Sequence, residues 1–267
     1  MTRSIETKLG KLSYLTHGEG DKTFILFHGF GQTQEDMAKF LELRQNGSKY
    51  ILVDIFYHGK SQWFDSATPL TKNTWKIFIE YLMKKEDFYE FHLIGYSMGG
   101  KFALLTYELF DKKVKSLTLL APDGIKTGLW YSISSYPGSF HGVFKGVVFK
   151  PKLFFGFMNG LNSAGLLESS IVKFVQTQME TRSKRAQVYF TWRVFGGIQL
   201  HLGKIIRQLR KNKTPVDLFI GEYDRMVTEQ NLARFSSKVP HLRQHSLPVG
   251  HGRLIEATVD FLKKTKN

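Results

Sequence analysis

Hydrophobic positions along the chain form short apolar runs that alternate with stretches of helical spacing. The apolar runs of strand length include residues 11–17, 23–28, 49–54, 91–96 and 114–121. Apolar residues with helical spacing follow at 35–43, 71–84 and 101–110. Alternating strands and helices predict an α/β core. The continuous apolar run 114–121 is typical of a parallel sheet that is covered on both faces.

A turn-forming cluster separates the first two predicted strands. Gly18-Glu19-Gly20-Asp21 lies between the runs 11–17 and 23–28. Apolar β-formers on both sides of a Gly/Asp cluster are a hairpin signal. We therefore predict that a β-hairpin opens the fold.

The strand–helix alternation stops after Gly124 and resumes near Pro215. The intervening residues are rich in Phe, Tyr and Trp and contain helical stretches such as 169–179 and 186–195. Beyond them the alternation returns, with strands at 216–220 and 243–247 and helices at 229–235 and 254–264. The pattern predicts an α/β core of residues 1–124 and 213–267, interrupted by a mainly helical insertion, 125–212.

Composition narrows the class of protein. A chain of 267 residues with 42% hydrophobic content can bury the core of one α/β domain with an insertion. The absence of cysteine excludes disulfides, thiolate metal sites and a cysteine nucleophile. No apolar run of signal-peptide length lies at the N-terminus, and no uncharged run of membrane-spanning length occurs. We therefore expect a cytoplasmic protein.

The net charge of +15 is unevenly distributed. Residues 121–215 contain 14 Lys/Arg and 3 Asp/Glu, which gives +11 and leaves +4 for the rest of the chain. The basic insertion also contains aromatic runs such as residues 150–157. Cationic and aromatic side chains together suit the surface of an anionic membrane. We expect at most weak membrane contact through this region, and no nucleic-acid module is recognisable.

The sequence Gly95-Tyr96-Ser97-Met98-Gly99 fits the pattern G-x-S-x-G between a predicted strand and a predicted helix. In that context a tight strand-to-helix turn projects the serine hydroxyl from the sheet, and a β-carbon at either glycine would collide with neighbouring backbone. The motif therefore marks Ser97 as a candidate nucleophile.

A serine nucleophile needs a histidine to take its proton and a carboxylate to orient that histidine. Of nine histidines, His251 lies on a Gly-flanked loop directly after the last predicted strand. Asp224 follows the strand 216–220, and Asp123 follows the strand 114–121. Both aspartates therefore lie at the sheet edge where Ser97 is also expected, because parallel strands end at the same edge. We favour Asp224 and keep Asp123 as the alternative.

With these residues the chain resembles the α/β-hydrolase superfamily over nearly its whole length. Phe27-His28-Gly29-Phe30-Gly31 is similar to the family's HG loop. The stretch 54–61, Asp-Ile-Phe-Tyr-His-Gly-Lys-Ser, is similar to the family's D-x-x-G-H-G-x-S, with Tyr57 in place of the first glycine. The resemblance implies a mostly parallel central sheet flanked by helices, and it identifies residues 125–212 as the cap.

The resemblance also implies that two backbone amides, those of Phe30 and Met98, hold the developing oxyanion. His28 and His58 are then structural residues of their loops. Family members that displace halide or open epoxides use an aspartate at the elbow, whereas this chain has serine. The chain has no cysteine to serve as a thiolate ligand, and the reaction that the resemblance implies needs no cofactor, so we expect neither metal nor cofactor.

The function that follows is a serine hydrolase acting on a small-molecule carboxylic ester or thioester. One alternative is a C–C bond hydrolase or lyase with the same three residues, and another is a binding protein that kept only the fold. Aromatic residues of the cap suggest an apolar acyl or aromatic substrate group, although cap packing explains them equally well. These aromatic residues include Trp130, Tyr131, Phe144, Phe154, Phe155 and Trp192.

Overall fold

The computed structural model describes residues 2–125, 151–163 and 169–265. Its strands are β1 (Thr2–Glu6), β2 (Gly10–His17), β3 (Lys22–Phe27), β4 (Ser48–Val53), β5 (Gln62–Trp63), β6 (Phe91–Tyr96), β7 (Val114–Leu120), β8 (Val216–Gly221) and β9 (Leu242–Leu247). Its α-helices are α1 (Lys72–Lys85), α2 (Met98–Phe110), α3 (Pro151–Ser163), α4 (Ser169–Gln178), α5 (Arg182–Phe195), α6 (Leu202–Asn212), α7 (Glu229–Ser236) and α8 (Leu254–Lys264). Two 3₁₀ helices span Gln34–Leu43 and His251–Arg253.

The strands form one sheet in the order β1-β2-β4-β3-β6-β7-β8-β9, and β5 pairs with β2. All pairs from β4 to β9 are parallel, and β2 is antiparallel to its partners β1, β4 and β5. This is the mostly parallel sheet that the apolar runs predicted. Its carboxyl edge receives the loops after β6, β8 and β9.

The predicted hairpin between the first two apolar runs is wrong. Strand β4 lies between β2 and β3 and pairs with both of them. The connection through Gly18 and Gly20 crosses the beginning of β4, where a β-carbon on Gly20 would lie 2.2 Å from the carbonyl of Gly47. The missed strand β1 supplies the other partner of β2. Apolar β3 thereby obtains parallel neighbours on both sides, which a hairpin with β2 would not provide.

The helices begin where the side-chain signals place them. Thr71 caps α1, and its hydroxyl accepts a hydrogen bond from the amide of Thr74. The segment at 34–43, expected to be helical, is a 3₁₀ helix preceded by Thr33, whose amide donates to the Asp36 carboxylate at 2.7 Å. Helix α2 is almost entirely buried, in keeping with its apolar sequence. Its burial holds the beginning of this helix firmly behind Ser97.

The chain divides into two compact units. The first contains residues 1–65, 71–126 and 199–267, and it holds the sheet and helix α6. The second contains residues 66–70 and 127–198, and within it the amide of Leu70 donates to the carbonyl of Val194. Helix α6 therefore belongs to the first unit, although the insertion expected from the sequence extends to residue 212. None of the helices in the described ranges is long and apolar enough to cross a bilayer.

Candidate active site

Three loops at the carboxyl edge of the sheet bring Ser97, Asp224 and His251 together. Ser97 directly follows β6, Asp224 lies three residues after β8, and His251 lies four residues after β9. Parallel strands end at the same edge, so side chains that are distant in sequence meet there. The carboxyl ends of β8 and β9 are tied together because the amide of Glu222 donates to Leu247 and that of Tyr223 donates to Val249.

Ser97 occupies a strained backbone conformation. Its φ of 51° and ψ of −117° lie outside the regions that a residue with a β-carbon ordinarily adopts. Such a conformation costs about 1–3 kcal/mol and persists only where the surroundings enforce it. Here the Ser97 amide donates to Leu120, and the Ser97 carbonyl accepts from the amides of Gly100 and Asp123. These three hydrogen bonds hold the turn that projects the hydroxyl away from the sheet.

The two glycines of the motif allow the close approach that this turn needs. A β-carbon on Gly99 would lie 2.1 Å from the carbonyl oxygen of Phe27, and one on Gly95 would lie 2.5 Å from the carbonyl oxygen of Gly99. Both separations are far shorter than a carbon–oxygen contact permits. Only glycine at these positions lets α2 begin directly against the ends of β3 and β6.

A continuous hydrogen-bonded chain links the three side chains. The His251 Nδ1 lies 2.6 Å from Asp224 Oδ2, and its Nε2 lies 3.1 Å from the Ser97 Oγ. A carboxylate only accepts, so Nδ1 carries the proton and Nε2 is left to accept from the serine hydroxyl. Ser97, His251 and Asp224 are thus arranged for transfer of the serine proton to the imidazole.

The Asp224 side chain is completely buried, and both oxygens of its carboxylate accept hydrogen bonds. Its side chain has no exposed surface. One oxygen accepts from the amides of Met226 and Val227, at 2.8 and 2.9 Å, and the other accepts from His251. The two backbone bonds fix the orientation of the carboxylate, so that it presents a single oxygen to the imidazole.

Asp123, the alternative carboxylate, makes different contacts. Its amide donates to the Ser97 carbonyl, and its carboxylate accepts from the amide of Gly124 at 2.7 Å. Burial raises the pKa of Asp123, and the neighbouring Lys101 ammonium opposes that rise. Within the described residues Asp123 makes no hydrogen bond to His251. The geometry therefore favours Asp224 as the residue that orients the imidazole.

The two amides expected to bind an oxyanion come from two different segments of the chain. Met98 is the first residue of α2, where backbone N–H groups have no acceptor within the helix. Phe30 follows β3 in the loop that also contains Gly29. Within the part of the chain that the structure describes, neither amide donates to a protein acceptor. Both donors are therefore available to a bound group.

His28 and His58 are buried structural residues of the loops beside the site. The Nδ1 of His28 donates to the Gly29 carbonyl, and its Nε2 accepts from the amide of Ile55 at 3.0 Å. Burial lowers the pKa of His28 to about 4. Burial, and then proximity to His28, lower the pKa of His58 to about 3. Both imidazoles are neutral at pH 7, and the hydrogen bonds of His28 hold the Gly29 loop against the loop that follows β4.

These two histidines make the stability of the fold sensitive to acid. An unfolded histidine takes up a proton near pH 6.5, whereas the folded protein resists protonation until about pH 4. Stability is therefore complete above pH 6.5 and is lost as the pH falls from there toward pH 4. Each group contributes a slope of about 1.4 kcal/mol per pH unit in that window. Urea titrations at closely spaced pH values test this, and a free energy of unfolding that is constant between pH 6.5 and 4.5 would contradict it.

In the loop after β4 the backbone adopts a conformation typical of glycine at a position where this chain has tyrosine. Tyr57, which occupies that position, has a φ of 65° in the left-handed region. Asp54 stabilises the loop by accepting from the amides of Gln34 and Lys60, at 2.8 and 2.9 Å. The substitution of tyrosine for glycine therefore leaves this backbone turn in place.

One contact of the site was not anticipated from the sequence. The hydroxyl of Tyr96 donates to the backbone carbonyl of His251 at 2.9 Å, and the two rings lie 5.1 Å apart, centroid to centroid. Tyr96 is buried at the variable position before the nucleophile, where the motif accepts any residue. The aromatic side chain of Tyr96 was the only feature of the sequence that could have indicated this contact. Lys101, one turn into α2 and also buried, is a second residue that the motif did not reveal.

The structure describes part of the insertion. Trp130, Tyr131, Phe144 and Lys150 lie outside the described residues. Phe154 lies on α3, and the side chains of Phe155 and Trp192 are half-buried. Among the described residues no group of three or more His, Asp or Glu side chains could hold a metal ion.

Comparison with known proteins gives one family and many similar structures. The family model for the alpha/beta hydrolase fold matches residues 22–258. The sequence has no significant match among curated proteins. Because the family match covers most of the chain, it includes the segments that carry all three clustered side chains.

Three solved structures illustrate the range of enzymes with this fold. MGS-M2, an alpha/beta hydrolase enzyme from a Medee basin deep-sea metagenome library, has a TM-score of 0.69 at 15% identity and covers 97% of this chain and 94% of its own. A thermophilic esterase from Thermogutta terrifontis has a TM-score of 0.68 at 15% identity, with full coverage of both chains. The haloalkane dehalogenase DatA from Agrobacterium tumefaciens C58 has a TM-score of 0.66 at 14% identity, covering 99% and 95%. Identities this low establish the fold alone.

Proposed function

Because the chain belongs to the α/β-hydrolase family, we propose that it is a serine hydrolase that cleaves a carboxylic ester or thioester through an acyl-enzyme. The observation that carries the proposal is the hydrogen-bonded chain from Ser97 through His251 to Asp224. An esterase with the same fold, from Thermogutta terrifontis, is consistent with this chemistry.

In the proposed first step the Ser97 Oγ attacks the acyl carbon while His251 Nε2 takes the hydroxyl proton. Asp224 holds the imidazole in the required tautomer and stabilises the imidazolium that forms. The carbonyl oxygen becomes an oxyanion, and the amides of Phe30 and Met98 are the proposed donors to it. His251 then gives its proton to the leaving alkoxide or thiolate, which departs and leaves the acyl group on Ser97.

In the second step a water molecule loses a proton to His251 and attacks the acyl-enzyme. The same two amides are proposed to stabilise the second oxyanion, and its collapse returns the proton to Ser97 Oγ. The carboxylic acid product is released and the enzyme is restored. Apart from the substrate and this water molecule, both proposed steps use only groups of the chain.

Two alternatives remain from the sequence. A C–C bond hydrolase or lyase would use Ser97, His251 and Asp224 without the need for an acyl-enzyme. A binding protein that kept the fold would need none of them. The strained Ser97 and the enclosed Asp224 favour catalysis over binding, because both features cost stability or desolvation without contributing to a scaffold.

A fluorophosphonate probe followed by product analysis tests the proposal. A serine hydrolase is expected to be labelled at Ser97 with loss of activity toward simple esters and thioesters. A panel of esters of increasing acyl length then identifies the preferred acyl group. Probe labelling without ester turnover would favour the C–C bond alternative, and absence of labelling would favour the binding protein.

The Tyr96 contact leads to a prediction about positioning. Tyr96→Phe removes one oxygen atom and with it the hydrogen bond that holds the His251 backbone. We expect kcat and the rate of fluorophosphonate labelling to fall together, by about tenfold, because the His251 imidazole is then positioned less precisely as the base. The KM should be unchanged, because Tyr96 is buried and its hydroxyl is bonded to the His251 carbonyl, so it has no free polar group for a substrate.

Tyr107→Phe is the matched control. Tyr107 is buried in α2, about 15 Å along the helix from Ser97, and its hydroxyl bonds to Thr214 at 3.0 Å. Both variants lose one buried hydroxyl and should lose similar stability, about 1 kcal/mol. A slowed reaction in both variants, or in neither, would mean that Tyr96 contributes only to folding.

A further inference from the structure

Helix α6 presents a cationic face to solvent. Arg207, Arg210 and Lys211 are all exposed. At 100° per residue these positions fall within one third of the helix circumference, together with exposed Lys204. We call this set, Lys204, Arg207, Arg210 and Lys211, the α6 cationic face.

The opposite side of α6 packs against other residues of the first unit. Ile205 and Leu209 are buried, and Gln208 donates to the backbone carbonyl of Glu108 at 3.2 Å. At the end of the helix the Asn212 side-chain amide donates to the Asp111 carboxylate at 2.8 Å. Ile205 and Leu209 are therefore used in folding, and the helix cannot insert them into a partner.

No acidic residue balances this face locally. The sequence has nine Lys/Arg and no Asp/Glu between residues 181 and 216. Lys204 approaches the buried Glu108 at 3.8 Å, but that carboxylate is already bonded by Lys72 and His201. Among the described residues Arg207, Arg210 and Lys211 have no carboxylate within ion-pair distance. The bond between Asn212 and Asp111 brings exposed Lys112 toward the same end of the helix.

We propose that the α6 cationic face binds the surface of an anionic membrane through charge alone. Because α6 packs against the first unit along one side, its exposed cations lie together along the other side. Cations arranged in this way can contact the phosphate groups of a planar membrane surface. Single-stranded nucleic acid is usually bound with aromatic side chains between the cations, and the exposed positions of α6 hold none. The proposal does not depend on the reaction that the enzyme catalyses.

Co-sedimentation with vesicles tests the inference. Vesicles of equal parts phosphatidylglycerol and phosphatidylcholine should bind the full chain at about 0.1 M salt and release it at about 1 M, where screening shortens the range of the charges. Pure phosphatidylcholine vesicles should not bind it. Each cation near such a surface contributes roughly fivefold, so R207E/R210E/K211E should weaken binding by at least about 100-fold.

A matched variant separates the α6 face from the net charge of the protein. K8E/K84E/K264E reverses three other exposed lysines of the first unit, so both triple variants change the charge by three times −2, from +15 to +9. The control should keep most of the binding. Equal loss in both variants would assign binding to net charge and overturn the proposal. Binding to duplex DNA or RNA that is stronger than binding to vesicles would overturn it in favour of a nucleic acid.

The rate of hydrolysis of a water-soluble ester distinguishes a failure of the membrane proposal from a failure of the proposed function. Neither triple variant alters a residue that contacts Ser97, His251 or Asp224, so both should hydrolyse that ester at the rate of the unmodified chain. Vesicle binding by a chain without esterase activity would support the membrane surface and count against the proposed reaction. Esterase activity without vesicle binding would do the reverse.

Discussion

Ser97→Ala is expected to abolish ester hydrolysis, with a fall in kcat on the order of 10⁶-fold, as for loss of the nucleophile in a serine protease. The alanine keeps the β-carbon, so the strained turn at φ 51° meets no new steric conflict. Only the hydroxyl and its hydrogen bond to His251 are lost. Stability should therefore change by no more than about 0.5 kcal/mol.

Labelling by a fluorophosphonate, hydrolysis of a simple ester and thermal unfolding measure this expectation together. Ser116→Ala provides the control, because Ser116 is a partly buried serine of the neighbouring strand whose hydroxyl bonds to His92. It should retain labelling and activity. Full labelling of the Ser97 variant would show that another residue is the nucleophile.

Asp224→Asn is expected to lower kcat on the order of 10⁴-fold, the loss seen for the comparable change in a serine protease. An asparagine at this position can still accept from the amides of Met226 and Val227 with its carbonyl oxygen. Its NH₂ group then faces His251 Nδ1 and donates to it. The imidazole proton is forced to Nε2, which can no longer accept the proton of Ser97.

Asp123→Asn is the matched control for this change. The Asp123 carboxylate accepts from Gly124, and an asparagine carbonyl can replace it there without altering the tautomer of His251. The kcat of this variant should fall far less than that of Asp224→Asn. Comparison of single-turnover rates for the two variants would decide the assignment, and the reverse ranking would transfer the orienting role to Asp123.

The periodicity of the chain was sufficient to predict most of the parallel sheet. Each apolar run from 49–54 onward forms a strand, and the helical spacing at 71–84 corresponds to α1, which Thr71 caps. These features depend on residues that are close in sequence: an apolar run, a capping hydroxyl or a glycine that permits a tight turn. Local steric and hydrogen-bond preferences act over such distances, so they can be inferred without the tertiary structure.

The pairing of the first strands could not be inferred in that way. The Gly18–Asp21 cluster is compatible both with a hairpin and with a connection that crosses β4, because the turn residues do not specify the neighbouring strand. Burial of β3 between β4 and β6 favours the crossing connection. Strand β1, with only Ile5 of its residues buried, carries too weak an apolar pattern to be recognised beforehand.

The candidate site shows the same division. Sequence alone marked Ser97, Asp224 and His251, because the Gly-rich elbow and the positions after strands are local signals. The choice between Asp224 and Asp123 depended on which carboxylate reaches His251, and the tertiary structure brings Asp224 to 2.6 Å. Tyr96 bonds to a backbone carbonyl 155 residues away. No local pattern encodes a contact between a side chain and the main chain of a distant loop, since any residue at 251 would present the same carbonyl.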